Sequence, residues 1–486
     1  MIVGRAFKQT CKLFNQQQAR IVFATQGLNQ GIKEADPQLN EIIQKEIQRQ
    51  KSTINLIPSE NYTSLSAKQA VGSIMNSKYS EGLPLNRYYG GNQFIDKMEI
   101  LCQNRALELF GLNPTEWGIN VQAHSLTPAN FHVLTGLLQN HDRVMSLSIE
   151  HGGHLSHGQN IKRERLSAGS VYFEVLNYGI NEKSGLIDYD KLEEQAKYFL
   201  PKVIFGGADL YSRKIDYERL RKICDSIGAT LVVDLGQVSG LVATKILPDP
   251  FKYADIVTSA THKSLRGPRG ALVFYKQGVK GVDKKGNEIK YDFKNKIENA
   301  IFPGSQGGPH NHTIAGIAVA LKEAQQQNFK EYQQQVVKNA QVLYQTLSQK
   351  QYNILTNGTD NHLVLVDFKS KGINTLQLIH LLEQVHIDTY RSTLPNGKET
   401  FISSFLALGT HPMTTRGCTE NDFKTIAEFI DRGALLLKEL STKQPAPTSA
   451  QEIQKWAEQN VQSNSSLQKL QQEAASFVKQ FEVPSI

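Results

Sequence analysis

The sequence predicts an α/β fold, with a large domain on a mostly parallel central sheet and a smaller C-terminal α/β domain. Three observations predict it. Short β-rich apolar runs alternate with helix-patterned segments, the mark of βαβ units. A long Gln-rich helical pattern over 320–350 separates these runs from a second, shorter set. The 486 residues, 40% hydrophobic and 21% charged, are enough for two packed domains.

The first 33 residues carry Arg5, Lys8, Lys12, Arg20 and Lys33, and the first acid is Glu34. Val3, Phe7 and Phe14 recur between them at near-helical spacing. An acid-free, basic, amphipathic start predicts a mitochondrial presequence over 1–33, cleaved between Arg20 and Lys33, in preference to a disordered basic tail. The protein is then expected in the mitochondrial matrix. Removing the presequence lowers the net charge of +8, so the charge is weak evidence for nucleic acid and no such partner is expected. No run of about 18 apolar residues suggests a membrane span. The four cysteines, Cys11, Cys102, Cys224 and Cys418, form neither a CxxC pair nor a ladder, which fits a reducing compartment without structural zinc.

From Asp36 to Lys51, Leu39, Ile42, Ile43 and Ile47 share one helical face. Ser59 to Gly91 is polar and too long for a simple connection, which predicts a functional loop. VLTGLL, RVMSLS, KVIFGG, TLVVDLG, DIVTSAT and ALVFY are the strand candidates. The large domain is placed over 34–325, and a linker helix with the small domain over 326–486. HLVLVDF and the helix Leu376–Val385 open the small domain. Two prolines break the pattern in Gln444–Pro447, and the C-terminal tail reads as helical and solvated.

Two strand ends carry the chemistry. In ADIVTSATHKSLRGPRGALVFY, Lys263 follows an apolar run, with Arg266 and Arg269 close by. A desolvated lysine is a nucleophile for a carbonyl, and arginines suit phosphate or carboxylate. A basic solvated turn gives the same pattern. Asp234 ends LVVDLG, where open α/β sheets bind ligands, although a helix N-cap is the commoner use of such an aspartate. An acid for a pyridinium nitrogen and a Schiff-base lysine are what a pyridoxal-phosphate (PLP) enzyme requires. The histidines of HGGHLSHG (His151, His154, His157) lack a partner Cys or acid cluster at metal spacing, so no metal is expected and a ring stacked on a cofactor is the better use. The Gly-rich FPGSQGGPHNH offers amides to a phosphate.

Taken together, LIPSENYTS, KYSEG.P..RYYGG, HGGHLSHG, THKSLRGPRG, FPGSQGGPHNHTIAGIAVAL and GTHPMTTRG resemble the serine hydroxymethyltransferase family from about Asp36 almost to Ile486. KGVDKKGNEI resembles its eukaryotic branch. The resemblance implies the PLP-dependent transferase fold of the aspartate-aminotransferase type, a homodimer or homotetramer with shared sites, and tetrahydrofolate as co-substrate. It implies that Lys263 carries PLP as a Schiff base, Asp234 pairs with the ring nitrogen and His154 stacks on the ring. Ser125, Thr127, Gly307 and Gly308 would hold the phosphate. Arg269 would support the lysine region and Gln237 would lie near the phenolic oxygen. Glu81 would move a proton. Tyr79 (from the neighbouring subunit), Tyr88 and Tyr89 would line the pocket, and Ser59 would hold the substrate carboxylate.

Departures from the family pattern cluster in this site. Ala407 stands where the family has the arginine that clamps the amino-acid carboxylate, and Phe405 replaces a glycine. Gln237 replaces a histidine, Asp209 a serine, Ala260 a threonine and Leu126 a glycine. Tyr390-Arg391-Ser392-Thr393 replaces NKNT on the folate side, and Gly82-Leu83-Pro84-Leu85-Asn86-Arg87-Tyr88-Tyr89 replaces GYPGKRYY, losing a tyrosine. The expectation is a divergent, structural or regulatory family member, part of a homo-oligomer or larger mitochondrial assembly, with serine–glycine transfer lost or strongly reduced. The alternatives are an active serine hydroxymethyltransferase in which Arg391 or another cation replaces the clamp, and a PLP enzyme for an amine or aldehyde without an α-carboxylate.

Overall fold

The computed structural model describes residues 27–161, 164–391, 401–443 and 449–485, together with 9, 12 and 447. The presequence, Ser392, Thr393 and most of the proline break therefore lie almost wholly outside the described residues. The chain divides into two compact units, 1–52 with the last residue, and 53–485. In the first, the expected amphipathic helix runs Pro37–Ser52, with Arg49 donating to Glu46 one turn back.

In the second unit, seven strands form the large sheet: β1 (Trp117–Asn120), β2 (Arg143–Leu147), β3 (Glu174–Tyr178), β4 (Val203–Gly206), β5 (Thr230–Asp234), β6 (Ile256–Ala260) and β7 (Ala271–Lys276). Their order is β1-β7-β6-β5-β4-β2-β3. Only β7 runs antiparallel to its neighbours. The inner strands β4 and β6 are buried along their whole length, as expected for a parallel sheet covered on both faces. One apolar cluster packs Ile204, Leu231, Val233 and Leu272 against helices. Another packs Val144, Val203 and Val232 against Ala129, Val133 and Ile297.

Four expectations are corrected. VLTGLL is not a strand but the end of helix α1 (Leu126–Leu137). Pro128 near its start and the one-face spacing of Ala129, Val133 and Leu134 decide for helix. Strands β1 and β3 were not among the apolar runs, because WGIN is short and EVLNY is interrupted by polar residues. The Gln-rich helix is two helices, Asn311–Ala324 and Gln327–Gln349. The 59–91 segment is not one loop: it holds the helix Leu65–Val71 and a hairpin pairing Gly82–Leu83 with Asn86–Arg87.

The C-terminal elements form a three-stranded antiparallel sheet of Asn353–Ile354, Leu363–Asp367 and Phe405–Gly409. Ile54–Asn55 pairs in parallel with Ile387–Asp388, so Ile54 and Leu56 join the core of Val364, Leu381, Leu406 and Ile430. The tail is helical but not solvated: Leu467, Leu470, Ala474 and Val478 are buried in that core. Arg416, also buried, donates to the carbonyls of Thr53, Val478 and Phe481 at 2.8–3.1 Å. Among the described residues no helix is long and apolar enough to cross a membrane.

Candidate functional site

The candidate residues gather at the C-terminal ends of the parallel strands, where open α/β sheets form crevices. Asp234 ends β5, Asp209 follows β4, Lys263 follows β6, and the histidine loop follows β2. The double glycine fits a close approach. Gly152 sits at φ 92°, and a Cβ on Gly153 would lie 1.8 Å from the Leu147 carbonyl oxygen.

Three donors converge on Asp234. Asn130 Nδ2 and His157 Nε2 each lie 2.7 Å from Oδ2, and the Gly236 N–H donates to Oδ1 at 2.6 Å. Burial pushes this carboxyl up. The bond and charge of His157, the charge of His154 and the Gly236 amide outweigh it and hold Asp234 below the usual range, so it is ionised. Asn130 is fixed in turn by Thr258, which donates to its Oδ1 at 2.7 Å, and His157 stacks on Phe205 at 4.4 Å. His154 Nδ1 accepts from the Ser156 N–H, which places a neutral ring's proton on Nε2. Burial lowers the His154 pKa against the pull of Asp209 and Asp234. Ligand atoms of His154, His157 and Asp234 lie within 4.8 Å of one another, but His157 Nε2 and Asp234 Oδ2 are committed to each other.

Lys263 is buried, and its Nζ lies 3.5 Å from Asp209 Oδ1. The same oxygen accepts from Gln237 Nε2 at 2.5 Å. Burial raises the Asp209 pKa, but the charges of Lys263 and His154 and the bonds from Gln237 and Lys263 bring it below the usual value. Leu126, at the first turn of α1, is buried against Gly236: a Cβ on that glycine would lie 2.3 Å from Leu126 Cδ2 and 2.9 Å from Asp234 Oδ1. Ala407 is fully buried in an apolar cluster of Leu210, Leu363, Leu365 and Phe405, and pairs backbone to backbone with Tyr390. Ser59 lies in the turn after Pro58, and a Cβ on Gly409 would lie 2.4 Å from Pro58 Cα, so that turn abuts the Ala407 strand. Arg391 lines a separate cavity of about 280 Å³ with Lys369, Asn374, Thr375 and Ser404.

A second group of candidates sits together elsewhere on the chain. Tyr89 donates to Glu81 Oε2 at 2.7 Å, Tyr79 and Tyr89 meet edge to face, Gly308 faces the Tyr79 ring and Gly307 the Glu81 carboxylate. Tyr88 meets Phe302 edge to face. Tyr79, Tyr88 and Tyr89 are all exposed. The buried Arg87 fastens their hairpin, donating to Asp96 at 2.8 Å and Glu99 at 2.6 Å. Among the described residues no hydrogen bond or ion pair joins Glu81 or Tyr89 to Lys263. Ser125 sits half-buried at the N-cap position of α1 without a side-chain capping bond, Thr127 is exposed beside it, and Arg269 is exposed 3.5 Å from His262. Sequence reasoning assigned no role to Asn130 and His157, which contact Asp234, or to Ser156 and Thr258, which hold Asn130. The chain of bonds from Thr258 through Asn130 to Asp234 crosses the fold and has no local signal.

The serine hydroxymethyltransferase family pattern matches residues 32–430. The chain is 48% identical over 458 residues (94% of this chain, 95% of the relative) to "Serine hydroxymethyltransferase, cytosolic" of Neurospora crassa. It is 52% identical over 411 residues (83% and 75%) to "Putative serine hydroxymethyltransferase, mitochondrial" of the same fungus. It is 45% identical over 470 residues (96% of each) to "Serine hydroxymethyltransferase, mitochondrial" of Candida glabrata. With this match, the mostly parallel sheet and the lysine and aspartate at its strand ends, the chain belongs to the serine hydroxymethyltransferase family and has its PLP-dependent, type I transferase fold.

Proposed function

We propose that this family member has lost, or retains very little, serine–glycine transfer to tetrahydrofolate, and acts as a structural or regulatory protein. The observation that carries this is the wall around Ala407. An amino-acid carboxylate there meets Leu210, Leu363, Leu365 and Phe405. A hydrogen bond to a charged group contributes about 1.5–3 kcal/mol, and about 3 kcal/mol of lost stabilisation is more than a hundredfold in rate. The family works with PLP and tetrahydrofolate and its members are generally oligomeric. Our assignment for this chain is a homodimer or homotetramer, within a larger mitochondrial assembly. The exposed Tyr79, Tyr88 and Tyr89, grouped with the half-buried Glu81 and without Lys263, support a site completed by a neighbouring subunit. The acid-free basic N-terminus supports the mitochondrial matrix; relatives of both mitochondrial and cytosolic type are similar. The division near residue 325 into large and small domains remains part of the same proposal.

Toward PLP the residues fit at one end only. Asp234, ionised and held by three donors, suits a protonated ring nitrogen, and His154 suits a stacked ring. Asp209 and Leu126 do not fit: a carboxylate faces the place of an anionic phenolic oxygen, and a buried isobutyl group borders Asp234. We therefore derive no chemical step through the cofactor.

The relatives favour a second reading, an active serine hydroxymethyltransferase: those quoted carry that name, and Lys263, Asp234, His154 and Glu81 are retained. Arg391 or another cation is then the replacement. The deciding assay is tetrahydrofolate-dependent cleavage of serine by the full-length protein, with the Phe405→Gly/Ala407→Arg double variant beside it. Our reading expects no turnover above background in the unmodified protein. Turnover that Arg391→Ala abolishes establishes the second reading.

A further inference from the structure

Two side chains stand out in the site because each already has an occupant's role. Asp209 Oδ1 receives both Gln237 Nε2 at 2.5 Å and Lys263 Nζ at 3.5 Å. Leu126 is only 6% exposed, and its tip rests on Gly236, whose amide binds Asp234. The fit of Leu126 to Gly236 is reciprocal. The family pattern VDMAH reads Val233-Asp234-Leu235-Gly236-Gln237 here, so the resemblance implies an alanine at the place of Gly236 as it implies a glycine at the place of Leu126, and the larger side chain fills the space the smaller one vacates.

We infer that Asp209 and Leu126 take the cofactor's place, the first as ion-pair partner of Lys263 and the second as a plug beside Asp234, so that the chain folds with its lysine locked and PLP shut out. The inference deepens the proposed function but stands on different residues, since Ala407 concerns the substrate and these two concern the cofactor. Three physical points support it. Condensation of an amine with an aldehyde forms C=N, expels water and needs the nitrogen lone pair, which an ion-paired ammonium lacks. Two anions brought together in a partly buried site repel strongly, so a phenolic oxygen beside Gln237 meets the Asp209 carboxylate unfavourably. A planar ring lying on His154 with its nitrogen at Asp234 must displace Leu126 from packed surroundings.

The test incubates full-length protein with PLP, reduces with borohydride and quantifies the Lys263 peptide by mass spectrometry. The series is unmodified protein, Asp209→Ser, Asp209→Asn, Leu126→Gly/Gly236→Ala and the triple variant Asp209→Ser/Leu126→Gly/Gly236→Ala, with Lys263→Ala as the blank. The inference expects labelling of the unmodified protein near the blank and a gain of about tenfold or more in the triple variant. The isosteric Asp209→Asn keeps the packing and is expected to gain part of it. Stoichiometric labelling of the unmodified protein overturns the inference. So does an unlabelled triple variant with a native circular dichroism spectrum. If the unmodified protein labels but its spectrum ignores glycine, this inference falls and the reading from Ala407 stands. If it also turns over serine, both fall.

Discussion

Three donors converge on the carboxylate at the Asp234 end of the site, whereas around Ala407 the neighbours are Leu210, Leu363, Leu365 and Phe405. Both ends are built on buried strands of the same unit, so burial does not separate them. What separates them is how many side chains each position is tied to. Asp234 cannot change without stranding Asn130 and His157 in the interior. Ala407 can, because its neighbours are apolar and its side chain holds none of them by a hydrogen bond. Substitutions are therefore tolerated first where a side chain meets only apolar neighbours, and last where it holds other residues.

The largest expected effect sharpens this contrast. Asp234→Ala leaves the buried His157 and Asn130 donors without their acceptor and should cost about 3–5 kcal/mol, as when one partner of a buried pair is removed. Urea unfolding followed by circular dichroism measures it, and a cost below about 1 kcal/mol would show that the network holds nothing. Gly236→Ala alone should cost about 1–3 kcal/mol by overpacking against Leu126. The double change Leu126→Gly/Gly236→Ala should recover part of that loss in a double-mutant cycle, and strict additivity would break the claim that the two residues fill one space. Ala407→Ser sets one hydroxyl among aliphatic neighbours and should cost about 1–3 kcal/mol. A neutral result would mean that water reaches the wall.

The smallest effect is one of pH. Asp209 and Asp234 have depressed folded values. Each therefore contributes stability that is complete above the unfolded value, about 3.9, and is lost as pH falls through the folded value. Stability should fall on acidification below about pH 4, and less steeply in Asp209→Asn. An unchanged slope in that variant would mean the carboxylate is not held by Lys263.

Much of this was legible in the sequence, and the limits have physical causes. Lys263 and Asp234 could be found because each ends an apolar run, and strand ends are visible as a change of pattern. The expectation at 407 came from a long flanking motif, whereas the relatives quoted carry the name of the active enzyme. What could not be seen was mutual contact. Leu126 and Gly236 lie far apart in the chain, and nothing couples them until β5 and α1 are side by side. VLTGLL was misread because a short apolar run has no period long enough to tell helix from strand. The tail looked solvated because its Gln-rich faces outnumber the one stripe of Leu467, Leu470, Ala474 and Val478.

Arg416 joins Thr53 to Val478 and Phe481, and this has a consequence for biosynthesis. The strand Ile54–Asn55 emerges early from the ribosome, but part of the core that covers it comes from the last turns of the chain. The β1–β7 sheet is complete by residue 276 and can fold during translation, since domains generally fold as units in order of synthesis. The early strand then waits as an unpaired edge until Ile387–Asp388 is made, and Arg416 gains its acceptors at Val478 and Phe481 only later. Removing Phe481 and its neighbours should leave that clasp open and part of the core around Ile54 uncovered, making the product prone to aggregation.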